Sequence, residues 1–389
     1  MKQISKLTLI ILGGLAFNTL QVTAAEADVA SVPPLKHVTT VLLPGGAETG
    51  EVGINTHTGK VYVANFGKYT VSVLDGVSDK IVATIPVGNP AYVAPGESEP
   101  PFPPLNGPSG IAVDELTNTV YALNNNGYLT VINGRTNTVT DNYAVDTNGA
   151  SFGLFTQDIV RSKQTGKLYI ANYANQIDVV DPKTKAVLTT IPDDNANFLA
   201  IDQRTNRIYV SNYWDATVTV IDGKTDTVID LITGVGAAAT PDNCYLNNTC
   251  VGSYSGIDHL AVDETLHRLY VTGTYDGSLI TIDTNTNKVI NTIYIGTNLF
   301  DVVVNPNNHN IYVISDLFST LAVVDGLTGK VIAKNIPVGN PPTPTNIGSL
   351  PQGLAFNPVN GKVYVGDSGD TYDVPNTRGE VVILEVNNH

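Results

Sequence analysis

Lys60-Val61-Tyr62-Val63-Ala64-Asn65 returns later in the chain as Arg207-Ile208-Tyr209-Val210-Ser211-Asn212. Similar apolar runs surround Tyr121, Tyr169, Tyr270, Tyr312 and Tyr364. After each tyrosine comes a polar corner, a second alternating run that in most units closes on Asp or Asn followed by Gly (Thr70 to Gly76, Thr217 to Gly223), and then a third run (Lys80 to Pro86, Lys288 to Ile293). With the run that precedes the tyrosine, each unit therefore holds four short strands. The tyrosines lie 59, 48, 40, 61, 42 and 52 residues apart, so the shortest spacing is the base unit and the remainder is insertion. A repeat of about 40 residues built from strands is the size of a propeller blade.

A lone blade cannot bury both faces of its small sheet, so the blades must stack radially and the ring must close. The last repeat stops after its third strand, Gly379 to Val386. A matching fourth strand stands near the other end of the chain, where Lys36-His37-Val38-Thr39-Thr40-Val41-Leu42-Leu43-Pro44-Gly45-Gly46 reads like Lys80-Ile81-Val82-Ala83-Thr84-Ile85-Pro86-Val87-Gly88-Asn89. The expected fold is all-β: a seven-bladed β-propeller of four-stranded antiparallel blades, closed by an N-terminal strand that completes the last blade. The expected organisation is a leader at 1–25, a linker at 26–35 and one propeller domain at 36–389. Within that domain the closing strand is 36–43 and the blades span about 49–88, 108–145, 154–192, 196–233, 255–295, 298–338 and 350–386.

The Tyr-Val-(Ala/Ser/Thr)-Asn variants at 62–65 and 209–212, and a looser one at 270–273, resemble the YVTN-repeat family of seven-bladed propellers. The resemblance covers nearly all of the chain after residue 35. It implies the fold. Proteins of that family and its relatives include periplasmic binding proteins, some that bind nucleic acid, surface-layer proteins and the propeller subunits of amine dehydrogenases; architecture alone selects none of these roles.

The first 25 residues differ in kind. Lys2 and Lys6 precede an apolar stretch from Leu7 to Phe17, then Val22-Thr23-Ala24-Ala25 offers small residues for cleavage. This is the pattern of a secretory signal, and the apolar stretch is short for a membrane span. A periplasmic or secreted location follows, with no transmembrane anchor. Cys244 and Cys250 are the chain's two cysteines, six positions apart in the insertion Gly234 to Gly256. In an oxidising compartment they are expected to form a disulfide. Metal binding is the alternative, but no second pair at zinc spacing accompanies them.

Formal charge is −15, and loss of Lys2 and Lys6 with the leader leaves 19 basic residues against 36 acidic, or −17. Such a surface repels phosphate backbones, so a nucleic-acid partner is disfavoured. A protein, peptide or glycan ligand, or a divalent metal ion, suits it better. A monomer is expected. No nucleophile elbow, phosphate loop or zinc-protease motif occurs.

In a propeller the innermost strand of each blade lines the central channel. Aligning those strands on their terminal polar residues, such as Asn55, Asp202 and Asn357, sets Glu51, Gly110, Asp158, Phe198, His259, Asp301 and Gly353 at equivalent entry positions. Glu51, Asp158, His259 and Asp301 are thus candidate metal ligands, or acid and base groups, at one channel mouth. The competing picture is of separately solvated groups in a wide funnel. The corners between second and third strands bring aromatic and amide groups to the same face, and the ligand-binding candidates there are Trp214, Tyr213, Tyr173, Phe66, Tyr275, Asp276 and Phe318. Packing between blades and turn capping is the other role open to them. Long insertions (Asn89 to Gly107, Gly234 to Gly256, Asn340 to Leu350) enter this face as well.

A non-enzymatic recognition scaffold is therefore expected. A metal-dependent, lactonase-like hydrolase and a propeller subunit of a periplasmic oxidoreductase are the alternatives; the last would need a partner carrying the cofactor.

Overall fold

The computed structural model describes residues 34–44, 48–88, 107–145, 156–172, 176–236, 256–274, 276–340, 349–369 and 379–387. Its strands form seven four-stranded antiparallel sheets arranged as a β-propeller. Blade 1 is β2 (Thr49–Asn55), β3 (Lys60–Asn65), β4 (Thr70–Asp75) and β5 (Lys80–Pro86), hydrogen-bonded in that order. The same order repeats in β6–β9 (Pro108–Ala144), β10–β13 (Thr156–Pro192), β14–β17 (Ala196–Ile232), β18–β21 (Ile257–Tyr294) and β22–β25 (Leu299–Pro337). Blade 7 is β26 (Pro351–Asn357), β27 (Lys362–Asp367), β28 (Glu380–Val386) and, as its outer strand, β1 (Leu35–Leu42) from the other end of the chain. Each first strand touches the first strands of the blades on either side, and β26 meets β2, so the ring is closed.

Burial explains the repeat. Second and third strands are covered on both faces by neighbouring blades and read as unbroken apolar runs, as in β3 and β11 (Leu168–Asn172). Outer strands face water, and β17 (Thr227–Ile232) is exposed over all but its last residue. The hairpins between them turn on residues in the left-handed region, among them Asp79, Asn118, Asn206 and Asp226. Aspartates at strand ends cap these turns: Asp75 Oδ1 accepts the Ser78 N–H at 2.7 Å, and Asp202 Oδ1 accepts that of Arg204 at 2.9 Å.

The recurrent tyrosines are wedges between blades. Tyr169 Oη donates to the Gly223 carbonyl at 3.1 Å and to Asp226 Oδ1 at 2.6 Å, both in the next blade. Across the ring closure a Cβ on Gly76 would sit 3.1 Å from Tyr364 Oη, and between blades 5 and 6 one on Gly326 would sit 3.0 Å from Tyr270 Oη. The Asp-Gly ending is therefore the seat of the preceding blade's tyrosine. Tyr169→Phe keeps the ring and removes the bond to a carboxylate, which costs about 1.5–3 kcal/mol. A melting point a few degrees lower is expected, and an unchanged one would show that the hydroxyl contributes nothing to blade docking.

Further bonds join adjacent blades: Arg161 to Asp114 at 2.8 Å, His309 Nδ1 to Asp263 Oδ2 at 2.7 Å, and Lys362 to Asp79 at 2.7 Å. His309, a turn residue in the left-handed region, is thereby engaged in packing rather than exposed chemistry. Among the described residues no helix is long and apolar enough to cross a membrane.

Candidate functional site

Every first strand carries an extra residue close to its entry. In β18 (Ile257–Asp263), Ile257 pairs with Gly273 and Leu260 with Val271, so three steps on one strand match two on its partner. The same shift occurs between Thr49 and Val52 in β2 and between Leu299 and Val302 in β22 (Leu299–Val304). A bulge breaks the strict alternation of side chains and re-aims them locally. Two consecutive residues, such as Asp258 and His259, can then both serve the channel mouth.

Three of the aligned entry residues converge there. Ligand atoms of Glu51, His259 and Asp301 all lie within 4.8 Å of one another, although blade 1 supplies the first and blades 5 and 6 the others. His259 Nε2 is 3.1 Å from Glu51 Oε1 across the channel. The separately solvated funnel is therefore not what forms: His259 and Asp301 are 5% and 4% exposed. The imidazole stacks on Phe198 with centroids 3.5 Å apart, and Phe300 lies 4.6 Å away. Its Nδ1 is 3.4 Å from Asp258 Oδ1, an ion-pair distance without hydrogen-bond geometry. Asp258 is itself held by Asn197 Nδ2 at 3.3 Å and Thr274 Oγ1 at 3.2 Å.

Asp158 is buried at the same level in blade 3 but stands outside this group of three. It and Asp301 share a bracing role. Asp301 accepts the N–H of Val302 at 2.6 Å and that of Leu354, in the next blade, at 2.7 Å. Asp158 accepts those of Ile159 at 2.6 Å and Leu199, again in the next blade, at 2.8 Å. Burial, reinforced by the charge of Glu51, pushes Asp158 up to about 7. Asp301 is also raised by burial, although the nearby imidazole opposes the shift. Burial alone would lower His259, but Asp301, Asp258 and Glu51 together hold it well above its ordinary value. The mouth thus gathers carboxylates around one imidazole in a setting short of positive charge.

Two oxygen donors and one imidazole at these separations suit a divalent cation. An imidazole that binds metal through one nitrogen commonly has a carboxylate behind the other, which is where Asp258 sits. Further along the first strands the channel holds a cavity of about 380 Å³ whose side chains are mostly aliphatic, Val52, Leu199, Leu260 and Val302 among them. Asp258 was missed in the sequence because alternation assigns it the opposite face from His259; only the bulge brings it in.

The aromatic corners divide. Tyr213 lies over Gly256, where a Cβ would come within 2.7 Å of its ring, so it packs the entry to blade 5. Trp214 is half-buried and meets Tyr213 edge-on at 4.9 Å. Phe66 is half-buried in a short 3₁₀ turn, Phe66–Lys68. Asp276 Oδ1 accepts from Ser278 N at 3.0 Å and Oγ at 2.6 Å, which makes it a turn former. Phe318 is 46% exposed. Tyr173, Tyr275, Cys244 and Cys250 lie outside the described residues.

No protein-family model matches the chain, and no curated protein matches it either.

Proposed function

We propose that this is an exported, non-enzymatic recognition propeller of the YVTN-repeat type that holds a divalent cation at its channel mouth. Its ligand is a protein, peptide or glycan bound across the face on which the insertions enter. The observation that carries the cation is the approach of Glu51, His259 and Asp301 to within 4.8 Å, backed by Asp258 behind the imidazole. Export rests on the leader pattern at residues 1–25, and the disulfide between Cys244 and Cys250 rests on the oxidising compartment that export implies. The net charge of −15 argues for a cation and against a nucleic-acid partner.

Scaffold is preferred to enzyme because both oxygens of Asp301 and both of Asp158 accept backbone N–H groups and tie adjacent blades together. One observation favours hydrolysis as a second reading. Asp158, raised to about 7, is poised to exchange a proton near neutral pH, as a general base must. Lactone and ester turnover by the wild type, abolished in Asp158→Asn, would establish that reading.

Elemental analysis of the purified protein tests the cation directly. A stoichiometric divalent metal is expected in the wild type, and Glu51→Ala/Asp301→Ala should lose it, with affinity for added Ca²⁺, Mn²⁺ or Zn²⁺ down by at least about tenfold. A wild type that carries no metal and takes none up after chelation would overturn the cation.

A further inference from the structure

A second concavity opens on the same face, away from the channel, between blades 5 and 6. It has a volume of about 500 Å³, inside the roughly 300–1,000 Å³ range of small-molecule sites. Its existence has a local cause. In blades 1 to 4 the second strand ends in Asn, whose Nδ2 bonds the third residue of the third strand. The pairs are Asn65 with Ser72 at 2.8 Å, Asn124 with Thr130 at 3.0 Å, Asn172 with Asp178 at 2.8 Å, and Asn212 with Thr219 at 3.0 Å. Blade 6 replaces this pair with Ser315 and Ala322, both of which line the cavity. Ser315 Oγ turns away to the Thr297 carbonyl at 2.7 Å.

The outer strand of blade 6 opens the space further. Fourth strands of blades 1 to 5 each show one register shift, whereas β25 (Val331–Pro337) shows two. The additional shift lies where Val323 pairs with Ala333 and Leu321 with Ile336, and within it Asn335 adopts φ 59°, in the left-handed region. A bulge there places Lys334 and Asn335 on the rim of the cavity. Phe318 and Tyr294 complete it. Tyr294 is 65% exposed and occupies the ladder position that Pro86, Ala144, Pro192 and Pro337 hold in other blades.

We propose that this cleft is a saccharide subsite for a sugar bearing a carboxylate, a uronic acid. Two exposed aromatic rings suit the apolar C–H faces of a pyranose. Hydroxyl and amide groups of Thr297, Thr320 and Asn335 stand around them to meet ring hydroxyls, so the lining mixes apolar faces with hydrogen-bonding groups. Lys334 forms no ion pair among the described residues and supplies a cation for the carboxylate. The acidity of the protein as a whole does not cancel this contact, because charges farther away than the Debye length of about 8 Å are screened at physiological salt. The assignment rests on the recognition reading for its class of ligand, and it is independent of the channel-mouth cation.

Calorimetric titration with disaccharides of glucuronic acid, and with the matching glucose disaccharides, tests it. The wild type should bind the acidic sugars at least about tenfold more tightly than the neutral ones. Phe318→Ala should weaken both about tenfold, while Lys334→Met should remove the preference for the acid. Ser315→Asn/Ala322→Thr installs the pair found in blades 1 to 4 and should abolish binding with an unchanged melting point. Removal of divalent metal by a chelator should leave sugar binding by the wild type unchanged. Absence of binding to either sugar class, equal binding of both, or wild-type affinity in Phe318→Ala and in the refilled variant would each overturn the cleft assignment. Capture of other glycans insensitive to these substitutions would overturn it too, while leaving the broader recognition reading intact.

Discussion

Deleting residues 26–46 is expected to leave a protein that melts at least about 10 °C lower and aggregates on concentration. The deleted segment contains β1, which pairs along its length with β28, from Leu35 opposite Val386 to Leu42 opposite Glu380. Flanking bonds extend the seam: Leu43 N donates to the Gly379 carbonyl at 2.8 Å, and Asn387 N donates to that of Pro34 at 3.0 Å. Leu35 belongs to the core shared by blades 6 and 7, and Leu43 to the core shared by blades 7 and 1. Burying each leucine is worth about 1.5–3 kcal/mol, and every hydrogen bond adds about 1 kcal/mol. The loss is therefore several kcal/mol, concentrated where the two ends of the ring meet. It also bares a strand edge whose free N–H and C=O groups invite pairing with another molecule. Thermal melting and light scattering of the deletion variant check this, and a synthetic peptide of residues 34–46 added in trans should restore both. Wild-type melting and solubility in the variant would mean that the ring does not depend on its outer closing strand.

The propeller was legible because its determinants are local and repeated. A tyrosine such as Tyr169 sits on an Asp-Gly ending in the next blade, and both halves of that contact recur in most of the repeats. Closure was legible for the same reason: residues 36–46 look like a fourth strand with no blade of their own. The site was legible only in part. Alignment of strand ends sets Glu51, His259 and Asp301 in equivalent positions, but whether seven such positions crowd together or stand apart depends on channel width, which no repeat encodes. Asp258 needed the entry bulge to be seen, and a bulge has no sequence signature here beyond its consequences. The blade 5–6 cleft was hidden for a subtler reason. It arises from what Ser315 and Ala322 lack relative to their counterparts in blades 1 to 4, and a missing side chain is visible only once the packing around it is known.

Buried carboxylates make the second large prediction a dependence on pH. Burial pushes Asp158 up to about 7, and Asp193 and Asp316 up to about 6. Asp367 and Glu380 are raised by burial as well. Each of these groups holds its proton more tightly folded than unfolded. The stability it contributes is complete below the ordinary carboxylate value near 4 and is lost as pH rises through the folded value, here 6 to 7. Other carboxylates work the other way. Asp75 and Asp181 are lowered chiefly by turn hydrogen bonds, and Asp141 by a hydrogen bond from Lys185. In Asp283, Asp325 and Glu115 burial is outweighed, by turn hydrogen bonds in the first two and by hydrogen bonds from Thr56 and the charge of Lys163 in the last. Their contribution fades as pH falls below about 4. Metal-free protein should therefore be most stable near about pH 4 to 5 and should weaken steadily toward pH 8. A divalent cation reverses the trend, since it binds deprotonated ligands and stabilises whichever state holds it. Melting curves in chelator should thus fall from pH 5 to pH 8, and added metal should raise the melting point more at pH 8 than at pH 5. A chelated profile that stays flat or climbs would show that these carboxylates ionise as freely in the folded protein as in the unfolded one. Stabilisation by metal that is equal at both values would place the cation on groups other than Glu51, His259 and Asp301.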